Sequence, residues 1–150
     1  MLVVMVGGPA AGKSTVAQRD YPNLPRVDAD IIKEEHPDYD PKNPVVVHRW
    51  SVEESVKRVL GYLSRGTPVV YDGTGTNVER LASLVAIARA SGMKVEACFV
   101  TCPVEVAVAR NAARPRTVAE DVVRAKHEMA AESWPIVRAL VDSHRVVDTE

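Results

Sequence analysis

The chain has 150 residues, of which 46% are hydrophobic, and its 19 basic and 20 acidic residues leave a formal net charge of −1. This length is typical of one domain with its own core, so we expect a single domain over residues 1–150. The near-neutral charge excludes an overall basic field that would recruit nucleic acid, so any such contact must come from a local patch.

The predicted elements alternate between short apolar runs and longer helical patterns, which is typical of an α/β fold with a mostly parallel sheet. In chain order they are strand Leu2–Val6, helix Lys13–Arg19, strand Arg26–Asp28, helix Asp30–Glu35, a proline-rich loop over 37–44, a helix from Ser51 to the stop at Gly66, strand Pro68–Tyr71, a helix from Thr76 to Gly92, strand Val95–Val100, helix Val104–Arg110, a helix from Thr117 to about Ala131, helix Pro135–Val141 and strand Arg145–Val147. Five strands with helices between them predict a three-layer sandwich around a five-stranded parallel sheet.

Three of these helix starts rest on the capping-box pattern S/T-x-x-E. In this pattern a hydroxyl and a glutamate satisfy backbone N–H groups that the first helical turn leaves without partners. The pairs are Ser51 with Glu54, Thr76 with Glu79, and Thr117 with Glu120.

Two features of the sequence bear on the compartment. The two cysteines, Cys98 and Cys102, are too few for a disulfide framework, so we interpret them as small apolar fillers in a reduced environment. The first strand, Leu2–Val6, is too short for a secretory signal, and no run of about 20 apolar residues is present to span a membrane. We therefore expect a cytoplasmic protein with no membrane partner.

A phosphate-loop pattern, G-x-x-x-x-G-K-[ST], stands between the first strand and the first helix, which is the context that the motif requires. Glycines let the backbone curl so that N–H groups point at a phosphate, and the helix N-terminus adds partial positive charge. Lys13 is predicted to reach the β- and γ-phosphates of ATP, and Ser14 to place its hydroxyl on Mg²⁺. The alternative is an ordinary strand–turn–helix connection. The predicted ATP-binding residues of the loop are Gly7, Gly8, Pro9, Ala10, Ala11, Gly12, Lys13, Ser14 and Thr15.

The length and the missing motifs favour a small kinase over other phosphate-loop proteins. A GTPase needs a guanine-specifying N-K-x-D stretch, which the chain lacks, and an ATPase motor needs a longer chain. Asp28 and Asp30 come at the end of the second strand, and ligands of open α/β sheets bind at the carboxyl ends of strands. Asp30 is therefore a candidate base for an attacking hydroxyl. The alternative is that it only caps the helix that it begins.

The third strand ends in a second acidic stretch. Asp72 could bind Mg²⁺ through water, and Gly73 and Gly75 would let the backbone approach a ligand at the same edge of the sheet. Read without the phosphate loop, the same residues would be a strand that ends in a turn.

Three arginines, Arg110, Arg114 and Arg116, lie within seven residues between two predicted helices. Phosphoryl transfer spreads negative charge over the γ-phosphate oxygens, and mobile arginines can neutralise it. We interpret the segment around 110–117 as an arginine-bearing lid, in which Arg114, with Arg110 and Arg116, closes over the transferred group. The alternative is a solvated charged face.

These residues make the chain resemble the P-loop kinases that include the zeta toxins and the kinase domain of phage polynucleotide kinase. The stretch Val27–Tyr39 is similar to the segment in which zeta toxins carry their catalytic aspartate, and the resemblance assigns the base to Asp30 rather than Asp28. Asp-Gly-Thr-Gly at 72–75 is similar to their E-G-T-G. Zeta toxins phosphorylate UDP-N-acetylglucosamine. A toxin glutamate that helps to hold this substrate aligns with Val56, and a toxin threonine in the following helix aligns with Leu84.

The second half is similar to polynucleotide kinase. Residues 77–81 resemble its N-P-E-R segment, and residues 109–114 resemble its K-R-N-x-x-R lid. The resemblance implies that Arg114 assists transfer and that Arg110 contacts the nucleotide. It also implies a basic residue three positions after the base, where this chain has Lys33 instead of Arg. Because lysine cannot clamp a phosphate with two parallel hydrogen bonds, we expect a weaker 3′-phosphate contact.

The acceptor site is less specific. His48, Arg49 and Trp50 follow the proline-rich loop, and Trp50 could stack a base while Arg49 meets its phosphate. A tryptophan at such a position is more often a core or loop anchor. His127 and His144 are interpreted as structural. The predicted substrate-binding residues are Asp28, Lys33, Arg49, Trp50, Thr74 and Gly75.

The sequence therefore predicts a P-loop NTPase fold of the kinase type that uses ATP and Mg²⁺, with Lys13, Asp30 and Arg114 as catalytic residues. The first predicted acceptor is a polynucleotide or nucleotide hydroxyl. The alternatives are a UDP-N-acetylglucosamine kinase like the zeta toxins, a small-molecule phosphotransferase of the antibiotic type, and a non-catalytic ATP-binding regulator. An antitoxin partner is compatible with the resemblance, but nothing in the sequence indicates one.

Overall fold

The computed structural model describes residues 1–115 and 117–150. Within them the elements are β1 (Leu2–Val6), α1 (Lys13–Asp20), β2 (Arg26–Asp28), α2 (Ala29–Lys33), α3 (His48–Ser64), β3 (Val69–Asp72), α4 (Val78–Ala90), β4 (Val95–Thr101), α5 (Val104–Ala112), α6 (Glu120–Leu140) and β5 (Ser143–Asp148). A short 3₁₀-helix, Pro44–Val47, leads into α3.

All five strands are parallel, in the order β2-β3-β1-β4-β5. The predicted α/β fold with a five-stranded parallel sheet is therefore confirmed. Because parallel strands end at the same edge, the loop after β1 lies between the ends of β3 and β4, with β2 one strand further out. Asp28, the last residue of β2, is the register partner of Asp72, the last residue of β3.

The core has two layers, one on each face of the sheet. Every residue of β1 is fully buried, with Leu2, Val4 and Val6 on one face and Val3 and Met5 on the other. The first face is covered by α3, α4 and the C-terminal half of α6, and the second by α1, α5 and the N-terminal half of α6. Burial on both faces explains why β1 is a continuous apolar run instead of an alternating one.

The start of α3 differs from the prediction. The helix begins at His48, three residues before the predicted start at Ser51. The Ser51 hydroxyl does not cap a first turn but donates to the His48 carbonyl oxygen at 2.7 Å, inside the helix. The 3₁₀-helix Pro44–Val47 already supplies a helical turn, so the chain enters α3 without a capping side chain.

The other two predicted capping boxes are also wrong. Asn77, not Thr76, caps α4, and its side chain accepts from the backbone N–H of Arg80 at 3.0 Å. At α6 the residue before the first turn is Ala119, and no side chain caps the helix. The S-x-x-E spacing is a local signal, and at α4 an asparagine one residue later offers an equivalent oxygen in the right geometry.

The predicted break before Pro135 is wrong as well, because α6 is one helix of 21 residues from Glu120 to Leu140 with Pro135 inside it. Pro135 is exposed, whereas Val123, Trp134 and Val137 are buried against the sheet. Burial of this apolar stripe outweighs the backbone hydrogen bond that an internal proline removes. Neither α6 nor any other helix in the described part of the chain is both long and apolar enough to cross a membrane.

Candidate active site

The phosphate loop connects the buried strand β1 to α1 along a path that needs glycine. Gly12 precedes α1 with φ of 103°, a left-handed conformation that side chains rarely adopt. A Cβ atom on Gly7 would lie 2.5 Å from the Val100 carbonyl oxygen of β4. The Gly7 N–H donates to the Thr74 carbonyl oxygen at 3.0 Å, so the loop starts between the two neighbouring strands.

Lys13 lies at the centre of the site. Its ammonium donates to the carbonyl oxygens of Gly7 at 2.8 Å and Gly8 at 3.1 Å, which folds the side chain back over the loop. Burial lowers the pKa of Lys13, and the carboxylates of Asp72, Asp28 and Asp30 act in the opposite direction. The positive charge of Arg114 lowers the pKa further. Three predicted acids and one lid arginine therefore lie within electrostatic reach of this ammonium.

Two of the acids end neighbouring strands. Asp72 is only 5% exposed, and burial raises its pKa to about 6 in spite of the opposing charge of Lys13. Burial, with the charge of Asp30, also raises the pKa of Asp28. Arg26 lies at the start of β2, and its guanidinium is 3.4 Å from the Asp72 carboxylate.

Asp28 and Asp30 have different structural roles. The Asp28 side chain caps α2 by accepting the Asp30 backbone N–H at 2.8 Å. The helix-capping role therefore falls to Asp28, while the Asp30 side chain is 66% exposed beside Lys33, whose ammonium is 3.8 Å away. Asp30 is the more accessible of the two carboxylates, which is compatible with its predicted role as the base.

The lid arginines differ in their surroundings. Arg110, near the end of α5, donates to the Thr149 hydroxyl at 2.9 Å and lies 3.4 Å from the Ala11 carbonyl oxygen of the loop. The Thr149 hydroxyl itself donates to Ala11 at 2.6 Å. Arg114 is exposed just after α5, within electrostatic reach of Lys13. Arg116 lies outside the described residues, so its predicted role stays a prediction.

Two predicted acceptor residues make contacts elsewhere in the fold. Arg49 is 93% exposed and pairs with Glu53 at 3.1 Å on the same helix. The Trp50 ring packs against the core and stands edge-on to the His36 ring at a centroid distance of 4.7 Å. These contacts favour the alternative reading of Trp50 as an anchor.

The remaining predicted residues line the loop and the turn after β3. Ser14 and Thr15 are exposed in the first turn of α1, where a ligand on the loop could reach their hydroxyls. Thr74 holds the start of the loop through its carbonyl oxygen, and its hydroxyl is 3.1 Å from that of Thr76. Gly75 has φ of 77°, and a Cβ atom there would lie 2.8 Å from Val6.

A cavity of about 400 Å³ lies on the other side of the loop, against Gly8. Its wall includes Thr101, Cys102 and His127, and none of the predicted acids or acceptor residues. The His127 ring donates to the Pro9 carbonyl oxygen at 3.0 Å, which fits the predicted structural role of this histidine. The predicted acids lie instead at the ends of β2 and β3, on the side of the loop where Asp72 is the register partner of Met5.

The sequence reasoning missed two contacts of the site. Arg26 is two residues before Asp28, and residues i and i+2 of a strand share a face. The sequence could therefore have indicated that Arg26 lies near the acids. Thr149 follows the fifth strand and therefore lies at the same edge as the other strand ends, but neither its side chain nor its sequence neighbours indicate a phosphate loop.

Comparison with known proteins identifies the family. The family model AAA_33, described as an AAA domain, matches residues 2–134. The chain belongs to this family. AAA_33 is a P-loop kinase family, so the resemblance predicted from the sequence is confirmed. No match was found among curated proteins.

Solved structures share the AAA_33 fold of this chain. The AvrRxo1-ORF1:-ORF2 complex with ATP has a TM-score of 0.77 at 19% identity, over 100% of this chain and 55% of that chain. The structure of the PezAT toxin–antitoxin system of Streptococcus pneumoniae has a TM-score of 0.70 at 16% identity, and the match covers 97% of this chain and 66% of that chain. The Pnkp1/Rnl/Hen1 RNA repair complex has a TM-score of 0.69 at 19% identity, and the match covers 90% of this chain and 45% of that chain. The chain thus spans only part of each of these proteins, and the likeness shows that its fold is the P-loop kinase type.

Proposed function

We propose that this chain is an ATP-dependent kinase that transfers the γ-phosphate of ATP to a hydroxyl group, with a polynucleotide or nucleotide as the first candidate acceptor. The observation that carries the proposal is the phosphate loop itself, in which the Lys13 ammonium is folded over the Gly7 and Gly8 carbonyl oxygens, next to the strand ends that carry Asp28 and Asp72. A phosphate-binding lysine, candidate metal-binding acids and an accessible carboxylate are the groups that phosphoryl transfer to a hydroxyl requires.

The loop fits the phosphates of ATP. Lys13 is held over the loop by carbonyl oxygens, and its burial without a phosphate lowers its pKa, so an anionic ligand would stabilise the charged form. Neighbouring structures include a complex that contains ATP. The hydrogen bond of Arg110 to Thr149 beside the loop supports its predicted contact with the nucleotide.

Ser14 and Asp72 are the residues that would hold Mg²⁺, from the first turn of α1 and the end of β3. Among the described residues, no group of three or more histidine, cysteine, aspartate or glutamate side chains forms a metal cage. This fits Mg²⁺, which is usually bound through one or two protein oxygens together with phosphates and water. Bound there, the ion would neutralise charge on the β- and γ-phosphate oxygens.

The chain's own residues then have separate tasks. Lys13 and the loop N–H groups hold the phosphates in place. The Asp30 carboxylate takes the proton of the acceptor hydroxyl while the new O–P bond forms and the bond to the leaving ADP oxygen breaks. Arg114, exposed just after α5 and within electrostatic reach of Lys13, neutralises charge on the transferred phosphoryl group.

The zeta-toxin-like alternative, a sugar-nucleotide kinase, is supported by the likeness to PezAT. The two positions at which zeta toxins carry polar residues weigh against it here. Leu84 is buried in the core, and Val56 packs against the same core from α3. Neither position can offer a polar contact to a sugar nucleotide, so we rank the nucleic-acid or nucleotide acceptor first.

The experiment is a labelling assay. The protein is incubated with γ-labelled ATP and Mg²⁺ against single-stranded DNA, RNA, nucleosides, UDP-N-acetylglucosamine and an aminoglycoside, with the Lys13→Ala variant as the blank. We expect label on a polynucleotide or nucleoside. Exclusive labelling of the sugar nucleotide or of the aminoglycoside would replace the first acceptor by that alternative. ATP binding with no labelled acceptor would favour the non-catalytic regulator.

A further inference from the structure

Two carbonyl groups of the phosphate loop are held by side chains that lie far away in the sequence. The Pro9 carbonyl oxygen accepts from Nε2 of His127 on α6 at 3.0 Å, and the Ala11 carbonyl oxygen accepts from the Thr149 hydroxyl at 2.6 Å. His127 is 118 residues from Pro9, and Thr149 is 138 residues from Ala11. The path of the loop is therefore fixed by α6 and by the segment after β5, as well as by its own residues.

Thr149 is itself held in place beside the loop. Its backbone N–H donates to the Thr101 carbonyl oxygen, at the end of β4, at 2.9 Å. Its hydroxyl has one proton and gives it to Ala11, so the hydroxyl oxygen is free to accept from the Arg110 guanidinium at 2.9 Å. A Cβ atom on Gly12 would lie 3.1 Å from the Thr149 methyl group, so this side chain also packs against the loop.

The His127 ring lies directly against the loop backbone. A Cβ atom on Gly8 would collide with the ring, so only glycine leaves room for the imidazole at this point. Because a carbonyl oxygen only accepts, the ring nitrogen that faces Pro9 carries its proton in this contact. A phenylalanine in place of His127 would fill similar space but would lack the donor.

A fixed carbonyl group also fixes the N–H of the next residue. The peptide unit is planar and trans, so its C=O and N–H point in opposite directions. The contacts at Pro9 and Ala11 therefore turn the N–H groups of Ala10 and Gly12 to the opposite side of the loop. Within the part of the chain that the structure describes, these two N–H groups donate to no acceptor. Backbone donors of this kind are the groups with which a phosphate loop binds its anion.

The backbone of Ala10 shows why the loop needs such support. Its φ is 60°, a left-handed conformation that is unfavourable for a residue with a Cβ atom. A conformation of this kind persists only where the surrounding structure holds it. His127 holds the peptide group just before Ala10, and Thr149 holds the one just after Ala11.

We propose that His127 and Thr149 are positioning residues of the phosphate loop, which hold its carbonyl groups so that the N–H groups of Ala10 and Gly12 are preorganised for the phosphates of the nucleotide. The proposal rests on the proposed function and deepens it, because it assigns part of the affinity for the phosphate donor to α6 and to the segment after β5. Both residues act through the loop and not on the reacting atoms. Their loss should therefore weaken nucleotide binding more than it slows the chemical step.

The first test measures nucleotide binding without an acceptor. ADP and AMP compete with a fluorescent ATP analogue, in the presence of Mg²⁺, for wild type, Thr149→Val and His127→Phe. Both substitutions keep the approximate shape of the side chain and remove the donor. We expect ADP affinity to fall about five- to tenfold in each variant. AMP affinity should stay within about twofold, because AMP lacks the β-phosphate that the loop binds. Thr149→Ser keeps the hydroxyl and should bind ADP as wild type does.

Thr67→Val and His144→Phe are the matched controls. Thr67 lies just before β3, at the sheet edge opposite the loop, and the His144 ring contacts Trp134. Both controls should bind ADP as wild type does. The proposal is overturned if Thr149→Val and His127→Phe bind ADP as tightly as wild type. It is also overturned if they lose ADP and AMP affinity equally, since a general structural defect would have that effect.

A double substitution separates the loop contact of Thr149 from its contact with Arg110. If Thr149 acted only by holding Arg110, Thr149→Val would have no effect on ADP binding in an Arg110→Met background. We expect it to weaken ADP binding several-fold in that background too, because the Ala11 carbonyl oxygen still loses its donor. No further loss would overturn the assignment of Thr149 to the loop.

Turnover distinguishes a failure of this proposal from a failure of the proposed function. With an acceptor that wild type labels, Thr149→Val and His127→Phe should raise the KM for ATP about five- to tenfold and leave kcat within about twofold. If wild type binds ADP but labels no acceptor, the proposed function fails, while the ADP titration still decides the roles of His127 and Thr149. If wild type does not bind ADP, both proposals fail.

Discussion

Asp28 and Asp72 are register partners at the ends of the neighbouring parallel strands β2 and β3, with their backbones one strand spacing, about 4.8 Å, apart. Burial raises the pKa of both carboxyl groups, and the positive charges of Lys13 and Arg26 oppose the shift. Without a bound ligand, the site therefore holds acidic groups whose ionised form is unfavourable. Such an arrangement favours ligand binding at the expense of the stability of the empty protein.

This arrangement predicts a pH-dependent effect of Asp72→Asn. The pKa of Asp72 is raised from 3.8 to about 6, so the folded state binds this proton more tightly than the unfolded state. The contribution to stability is present below about pH 4 and is lost as the pH rises through 6. Asp72→Asn should therefore stabilise the ligand-free protein by about 1–2 kcal/mol at pH 8, after the loss of its contact with Arg26, and by much less at pH 4.

Urea unfolding at both pH values checks this. Asp142→Asn is the control with the opposite sign, because the Val95 backbone N–H lowers the pKa of Asp142. That variant should lose stability at pH 8 and little at low pH. If Asp72→Asn were equally stabilising at pH 4 and pH 8, the buried charge would not be the cause.

Removal of the Lys13 charge should abolish nucleotide binding without unfolding the protein. Lys13→Met keeps the length of the side chain and its apolar stem but not the two hydrogen bonds to Gly7 and Gly8 or the charge that meets the phosphates. We expect ATP affinity to fall by about a hundredfold or more. A fluorescent ATP analogue measures the affinity, and circular dichroism tests the fold. Retained affinity would contradict the assignment of the loop.

Loss of the Asp30 carboxylate should slow the chemical step and leave nucleotide binding intact. Asp30→Asn keeps the size of a side chain that is 66% exposed, so the fold should not change. We expect kcat to fall by about 10²–10⁴-fold, the usual contribution of a general base, with the Kd for ATP unchanged. Asp38→Asn, an exposed change in the following loop, is the control. An unaltered kcat in Asp30→Asn would mean that another group takes the proton.

Two glycine substitutions should change stability in opposite directions. Gly7→Ala introduces a Cβ atom 2.5 Å from the Val100 carbonyl oxygen, so β1 or β4 must shift. We expect a loss of about 2 kcal/mol or more, together with weaker ATP binding. Gly61→Ala lies inside α3, where the new Cβ atom has only an arginine side-chain end near it, at 3.6 Å, and should stabilise by about 0.5–1 kcal/mol.

Thermal unfolding and ATP titration of both glycine variants check this prediction. Equal effects of the two substitutions on unfolding would mean that the loop tolerates a side chain at Gly7. The tight approach of the loop to β4 would then not be the reason for the glycine.

Much of the fold could be predicted because its signals are local. The strands Leu2–Val6 and Arg26–Asp28 agree with the structure residue for residue, since short apolar runs flanked by turns suffice to mark buried strands. Helix starts were less predictable. The Ser51 hydroxyl matches a capping pattern but lies inside α3, because a preceding 3₁₀ turn had already started the helix. Pro135 remains inside α6 because tertiary burial outweighs a local preference.

The candidate site likewise has parts that a local pattern predicts and parts that depend on the tertiary structure. The phosphate-loop motif and the acids at strand ends are visible in the sequence, because each depends on a few consecutive residues. Which acids meet is not visible, since it depends on sheet order: β3 lies between β1 and β2, and this places Asp72 next to both Asp28 and the loop.

By itself, the sequence determined that this protein has a P-loop kinase fold, and it predicted which residues would hold a phosphate donor. Only the tertiary structure decided which distant side chains surround that loop. Arg110 meets Thr149 across 39 residues, and Arg26 of β2 lies 3.4 Å from the Asp72 carboxylate of β3. Contacts of this kind depend on how strands are ordered and helices packed, and these are set by burial summed over the whole chain, which no local pattern records.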